Sequence, residues 1–338
     1  MATSLILGSQ LRSAGVSKSA LQKAQFKKST SKRDEEQMKP SNVLSVEERE
    51  LLLQRSDVKA WMHVLGAWTV IFGILMLVGY FPSIFTLLFA WIVLPGRQLS
   101  LAVLMHEAGH GSLFKTKSLN AWVGQWLCAL PTLGDLESYA RGHASHHRFA
   151  GTHEDPDLPN YEAYPINKRS LYRKWRRDLT GQTGLKLLIT LASGAGSQMS
   201  KETVGTKNLL AKQLFVHLVF ASILFALGVG WTWFIWMGVF LTSYMWVVRL
   251  RQVGEHAVVP DPLDTDVRMN TRTVEAPLWQ RFLVAPNNVN FHMEHHFMAG
   301  VPCYNLPKLR ALLRSKGCLD GLTNVTGYAQ VLKLAVAE

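Results

Sequence analysis

The sequence predicts an all-α integral membrane protein: four transmembrane helices in two hairpins, with a cytoplasmic helical cap that carries clustered histidines. Two long stretches, Ala60–Gly96 and Leu214–Val248, contain no Asp, Glu, Lys or Arg. Each is interrupted near its middle by turn-forming residues, Gly79-Tyr80-Phe81-Pro82-Ser83 in one and Gly228-Val229-Gly230-Trp231-Thr232 in the other. Eight of the 12 histidines fall into three tight groups outside both stretches.

Residues 1–44 read as a basic N-terminal tail. Residues 1–33 hold seven Lys or Arg, seven Ser and no acid. That composition fits an organelle transit segment and equally a disordered tail lying near anionic lipid. Residues 45–338 form the membrane domain. It opens with a short helix over 45–59, where Ser45 and Glu48 have the spacing of a capping box. The uncharged 37 residues that follow would make a helix of about 55 Å, against a hydrocarbon core of about 30 Å. They must fold in two, with spans at about 60–80 and 83–104. Residues 119–134 and 185–196 are apolar but too short to cross, so they are expected to be interfacial or re-entrant. The second long stretch gives spans at about 209–228 and 231–250.

Two hairpins with short uncharged turns leave every long charged segment (1–59, 135–182 and 249–338) on one side. The chain carries 36 Lys and Arg against 24 acids, a net charge of +12. Such an excess also occurs in nucleic-acid-binding proteins. Beside four spans it reads instead as positive-inside bias, which makes that side cytoplasmic, stromal or matrix, with no nucleic-acid partner. Several of the 11 Trp sit at the ends of apolar runs, as a membrane interface favours. Cys128, Cys303 and Cys318 form no CxxC, so neither a disulfide framework nor a cysteine metal site is expected.

The histidine groups are His106 and His110 in HEAGH; His143, His146 and His147 in HASHH; and His292, His295 and His296 in HMEHH. Spacings of three and four place residues on one helix face, so each group is expected to point its imidazoles one way. His106 lies 24 residues after Pro82 and His256 lies 25 after Trp231, so two helices carry histidine to one level beyond the hydrocarbon core. His63, His217 and His153 read as packed or solvated side chains. The three groups do not, because burying so many unpaired titratable rings costs free energy unless metal or hydrogen bonds satisfy them. Eight are too many for one catalytic zinc, which takes three protein ligands. Shared between two metals they give four each, and imidazole suits iron, copper and zinc.

HEAGH, HASHH and HMEHH in this order, with spans between them, resemble the three histidine boxes of the integral-membrane fatty acid desaturase and hydroxylase superfamily. The similarity covers most of residues 60–315. It includes DPDL at 155–158 and the run HMEHHFMAGVPCYNLPKLRALL. The resemblance implies a non-haem di-iron centre ligated by His106, His110, His143, His146, His147, His292, His295 and His296, with O2 as co-substrate. It further implies a ninth ligand between the last span and the third box, the place of His256 in RQVGEH. Gln252, one turn earlier, is a candidate to hold a water on the second iron. Glu107, Asp155, Asp157, Glu255 and Glu294 lie beside the histidines, and some are expected to orient them. No HPGG haem motif occurs, so the expected reductant is a separate ferredoxin or cytochrome b5-type protein.

The expected reaction is oxygen-dependent desaturation of a lipid acyl chain. A hydroxylase acting on a lipid or carotenoid shares the same boxes and stays open as the alternative. An intramembrane zinc protease would use HEAGH together with an aspartate such as that of Leu319-Asp320-Gly321, but it leaves two boxes unemployed. A metal transporter would hold its site near the bilayer midplane, whereas these groups lie beyond the helix ends.

Overall fold

The computed structural model describes residues 38–192 and 206–337. Residues 1–37, which hold the proposed transit segment and most of the 1–44 tail, lie outside the described residues, as do 193–205 and 338; the end of that tail is ordered, with a short helix at Pro40–Val43 and Leu44 buried. The described chain is helical, with β pairing limited to two isolated bridges, Ile166 with Val336 and Val274 with Val325.

Helix α1 (Val46–Leu52) begins with the expected capping box of Ser45 and Glu48. Helix α2 (Asp57–Tyr80) starts where Ser56 accepts the Lys59 N–H and ends at Phe81. After a three-residue link, Ser83 and Thr86 form a second capping box and start α3 (Ile84–Gly109). The second pair is α8 (Thr206–Ala226) and the segment Thr232–His256. Their connection carries Gly228 at φ +73°, a left-handed conformation that glycine adopts at no steric cost. Among the described residues, four helices are therefore long and apolar enough to cross a membrane.

The fourth of these differs from expectation. It is not continuous: α9 (Thr232–Leu241) gives way to α10 (Ser243–His256) at Thr242, whose φ −121° and ψ −93° are not helical. The Thr242 hydroxyl donates to the Gly238 carbonyl at 2.6 Å, which occupies a backbone acceptor at the break.

The spans bury apolar side chains against one another and expose others outward, as lipid requires. Ile71, Leu75, Leu94, Leu101, Phe220, Leu224 and Trp236 pack in one core. Phe85, Leu88, Leu214, Leu218, Phe225 and Phe234 face out. Pro95 sits inside α3. Next to it the bare backbone of Gly96 lets the Phe282 and Leu283 carbonyls approach to where a side chain would stand, and the buried Arg97 donates to the Phe282 carbonyl. Interruptions of this kind survive in a spanning helix where neighbouring protein satisfies the freed groups.

Residues 119–134 form α4 (Lys117–Val123), a π-helical stretch over Gly124–Ala129 and a 3-10 turn at Leu130–Thr132. This segment is packed in protein. It accepts indole hydrogen bonds from Trp68 at Leu127 and from Trp236 at Pro131, and it buries Val123, Cys128, Ala129 and Leu130. Helices α5 (Leu136–Phe149), α6 (Lys168–Leu179) and α7 (Gln182–Ala192) follow it. After α10 come α11 (His292–Phe297), α12 (Leu306–Ser315) and α13 (Tyr328–Ala335).

Candidate metal centre

Four segments that bear histidine meet at one place. The end of α3 supplies His106 and His110, α5 supplies His143, His146 and His147, the end of α10 supplies His256, and α11 supplies the remaining three. Asp135 caps α5 by accepting the Ser138 N–H at 3.0 Å. After α5, Gly151 at φ +82° lets the loop at Asp264 and Asn270 come close enough to occupy the place of a side chain.

The nine rings sort into two clusters. His106, His110, His143, His147 and His295 form one; His146, His256, His292 and His296 form the other. Within each cluster the chosen ligand atoms all lie within 4.8 Å of one another. The clusters abut, with the His147 and His296 rings stacked at a centroid separation of 4.3 Å.

This partition corrects two expectations. The eight box histidines divide five and three, not four and four, and His256 brings the smaller set to four. Nor does each group point one way. The i,i+4 pairs His143 with His147 and His292 with His296 each stay within a cluster, while His146 and His295 turn to the other one. Successive residues on a helix are rotated by about 100°, so neighbours one position apart address different centres.

The Nδ1 atoms of four of these rings face acids or a carbonyl. His146 Nδ1 is 2.7 Å from Asp155 Oδ1, and that aspartate also accepts from the Tyr161 hydroxyl. Burial opposes ionisation of Asp155, but the hydrogen bonds from His146 and Tyr161 outweigh it and hold the carboxyl below its usual range. Asp157 stands farther off, 3.8 Å from the same nitrogen, and is half exposed. His106 Nδ1 meets Glu107 at 3.1 Å, His256 Nδ1 meets the Asn270 carbonyl at 3.3 Å, and His292 Nδ1 lies 3.6 Å from Glu255. Glu294 holds no imidazole; it is tied to Arg310 at 2.6 Å and to the Thr273 hydroxyl. Gln252 is half-buried one turn before His256.

The inward nitrogens face one another instead of acids. His147 Nε2 lies 2.9 Å from the Nε2 of both His143 and His295, and the Nε2 atoms of His256 and His292 are 2.8 Å apart. His110 Nε2 and His296 Nε2 are buried with no hydrogen-bond partner. Burial pushes the His110 pKa down to about 3, and neighbouring rings add to the effect; His143, His292, His295 and His296 are lowered for the same two reasons. Neutral imidazoles with unshared lone pairs aimed at a common centre are the donor set of a metal ion. Two clusters side by side fit two ions, and the donor set suits iron.

The remaining histidines keep apart. His63 pairs with Asn287 at 3.0 Å, His217 with the Trp233 indole at 3.4 Å, and His153 is exposed. Asp320 is exposed and belongs to neither cluster. The HEAGH glutamate is also committed: Glu107 accepts the Cys303 N–H at 2.7 Å and the Ser112 hydroxyl at 3.2 Å. An acid so engaged is a buttress for His106, not a free base beside a zinc ion. Sequence reasoning passed over Tyr161 and Asn270. Their only signal was a position near a box, since a backbone carbonyl contact leaves no trace in residue type.

Residues 80–323 match the model of a family described as fatty acid desaturase. The chain is 25% identical, over 77% of its length and 78% of the relative's, to an sn-1 oleoyl-lipid 12-desaturase of a Picosynechococcus species. It is 24% identical to the dihydrorhizobitoxine desaturase of Bradyrhizobium elkanii over 66% of each chain. A shorter match, 30% identical over 29% of this chain and 26% of the relative, is to an sn-1 acyl-lipid omega-3 desaturase (ferredoxin) of a Synechocystis species.

Proposed function

The chain belongs to the fatty acid desaturase family, and on that premise we propose that it is a membrane-bound, oxygen-dependent acyl-lipid desaturase. The observation that carries this reading is the convergence of nine imidazoles into two adjoining clusters. In it, His106, His110, His143, His147 and His295 ligate one iron, and His146, His256, His292 and His296 the other. Gln252 is proposed to hold a water at the less crowded ion. Two iron ions so held would supply activation of O2 and removal of hydrogen from an unactivated C–H bond.

The protein's own part is to fix the rings and keep the site dry. Asp155, Glu107, Glu255 and the Asn270 carbonyl set ring orientation, which metal sites need from their surroundings. Burial of the clusters keeps bulk water from competing with a bound acyl chain. The names of two relatives specify sn-1 lipids, which supports a lipid-linked chain as substrate. One name specifies ferredoxin, which supports a separate small electron-transfer protein as donor. In the proposed topology the two helix pairs are hairpins, and the histidine segments form a cap on the cytoplasmic, stromal or matrix side.

The test is lipid profiling by gas chromatography–mass spectrometry in cells that supply a competent reductant. Wild type should yield an acyl product two hydrogens lighter than its precursor, and His146→Ala should yield none. A product heavier by one oxygen would make the enzyme a hydroxylase; no new product from wild type would overturn the proposal.

A further inference from the structure

Behind the third histidine segment lies a small cavity that opens to the surface. Arg268, Arg272, Arg310 and Thr273 line it, with Thr323 and Asn324 among the residues at the exposed end. Two of its three guanidinium groups are neutralised. Arg268 pairs with Asp266 at 2.6 Å. Arg310 reaches Glu294 and Glu275, each at 2.6 Å.

Arg272 has no such partner. It is 6% exposed. One terminal nitrogen donates to the Val258 carbonyl, and the other, Nη1, is buried with nothing to bond. Burial pulls its pKa to about 10 with no carboxylate acting the other way. A buried charge without a counter-charge costs several kcal/mol, and a guanidinium with a free N–H is built to receive an oxyanion.

We propose that this cavity is an oxyanion-binding site, with Arg272 as its anchor and a phosphate-type group as its ligand. The group is carried either by free phosphate or by the headgroup of an anionic lipid. The site also touches the metal centre's supports. Met293, next to His292, lines the cavity, Thr273 donates to Glu294 of the third box, and Asn270 holds His256 two residues before Arg272. An occupant would thus brace the segment that positions two of the clustered rings.

The test uses the full chain with its iron, purified in detergent, and follows its thermal midpoint. In one arm inorganic phosphate is titrated against chloride at equal ionic strength. In the other, the protein sits in nanodiscs of phosphatidylglycerol or of phosphatidylcholine. A ligand that binds only the folded state raises the midpoint. The expected result is a rise specific to phosphate, to phosphatidylglycerol, or to both, which also identifies the source. Thr323→Asp, at the exposed rim, should weaken the response about tenfold through like-charge repulsion. Arg272→Gln should abolish it. No specific rise in either arm would overturn the proposal. So would a rise of equal size in wild type and Thr323→Asp, because the anion would then be binding elsewhere.

Discussion

Asp155 and Asp157 flank one proline, yet only Asp155 is buried against His146. Removing a group that orients a metal-bound imidazole typically costs about 10–100-fold in affinity or activity. Asp155→Asn is therefore expected to lose that much desaturation and part of its iron, measured by product yield and elemental analysis, while Asp157→Asn stays near wild type. The sequence offered both as candidate supports, because both lie beside the second box. What separates them is the turn that follows α5, and spacing alone does not fix its geometry. The eight box histidines were legible from their helical spacing, and His256 from the resemblance to the family. Their division into five and four was not, since it depends on how α3, α5, α10 and α11 are rotated against one another. A second residue-scale prediction concerns Glu275. Its carboxyl is lowered, chiefly by the hydrogen bond from Arg310, against opposing burial. A depressed carboxylate contributes stability that is present above its unfolded pKa and is lost as pH falls through the lower folded value. Glu275→Gln should therefore be less stable than wild type near neutrality, and the difference should vanish on acidification, as followed by thermal midpoints across pH.

At the scale of elements, apolar length and turn residues disclosed the four long helices, and the capping box at Ser45 marked a helix start. The break at Thr242 was hidden, because Leu241-Thr242-Ser243 has neither Gly nor Pro to announce it and the apolar pattern runs on through it. The packing of 119–134 was equally hidden: its length excluded a span but did not reveal that Trp68 and Trp236 bond its carbonyls. Helix α3 supports a sharper prediction. A methyl group at Gly96 would stand 2.5 Å from the Leu283 carbonyl oxygen and 2.8 Å from that of Phe282. Both obstacles are backbone, so the Leu278–Leu283 helix would have to move, and overpacking of this kind costs about 1–3 kcal/mol. Gly96→Ala should lower the thermal midpoint of the detergent-purified protein. Gly73→Ala, in α2, meets nothing within 4 Å and should leave the midpoint unchanged or higher. Equal effects from the two would mean that α3 is not in close contact with that helix.

For the whole molecule, the decisive quantity is the number of membrane crossings between one histidine segment and the next. HEAGH follows the second long helix and HASHH precedes the third. HMEHH follows the fourth, so an even number of crossings separates any two. Only then do all three face one side, which two compact clusters demand. In the proposed topology the same parity puts the links at Phe81–Ser83 and Leu227–Trp231 on the opposite side. With Cys318→Ser as background and Cys128 and Cys303 buried, single cysteines can report this in sealed vesicles. Glu154 and Lys316 are exposed near the histidine segments, and Phe81 is 67% exposed at the far link. Glu154→Cys and Lys316→Cys should react with a membrane-impermeant maleimide from one side of the vesicle and Phe81→Cys from the other. In the proposed topology the first of these is the cytoplasmic, stromal or matrix side, where positive-inside bias places an excess of Lys and Arg. If Glu154→Cys and Phe81→Cys label from the same side, the crossings are odd where they must be even. The two clusters would then not assemble in the membrane as they do here.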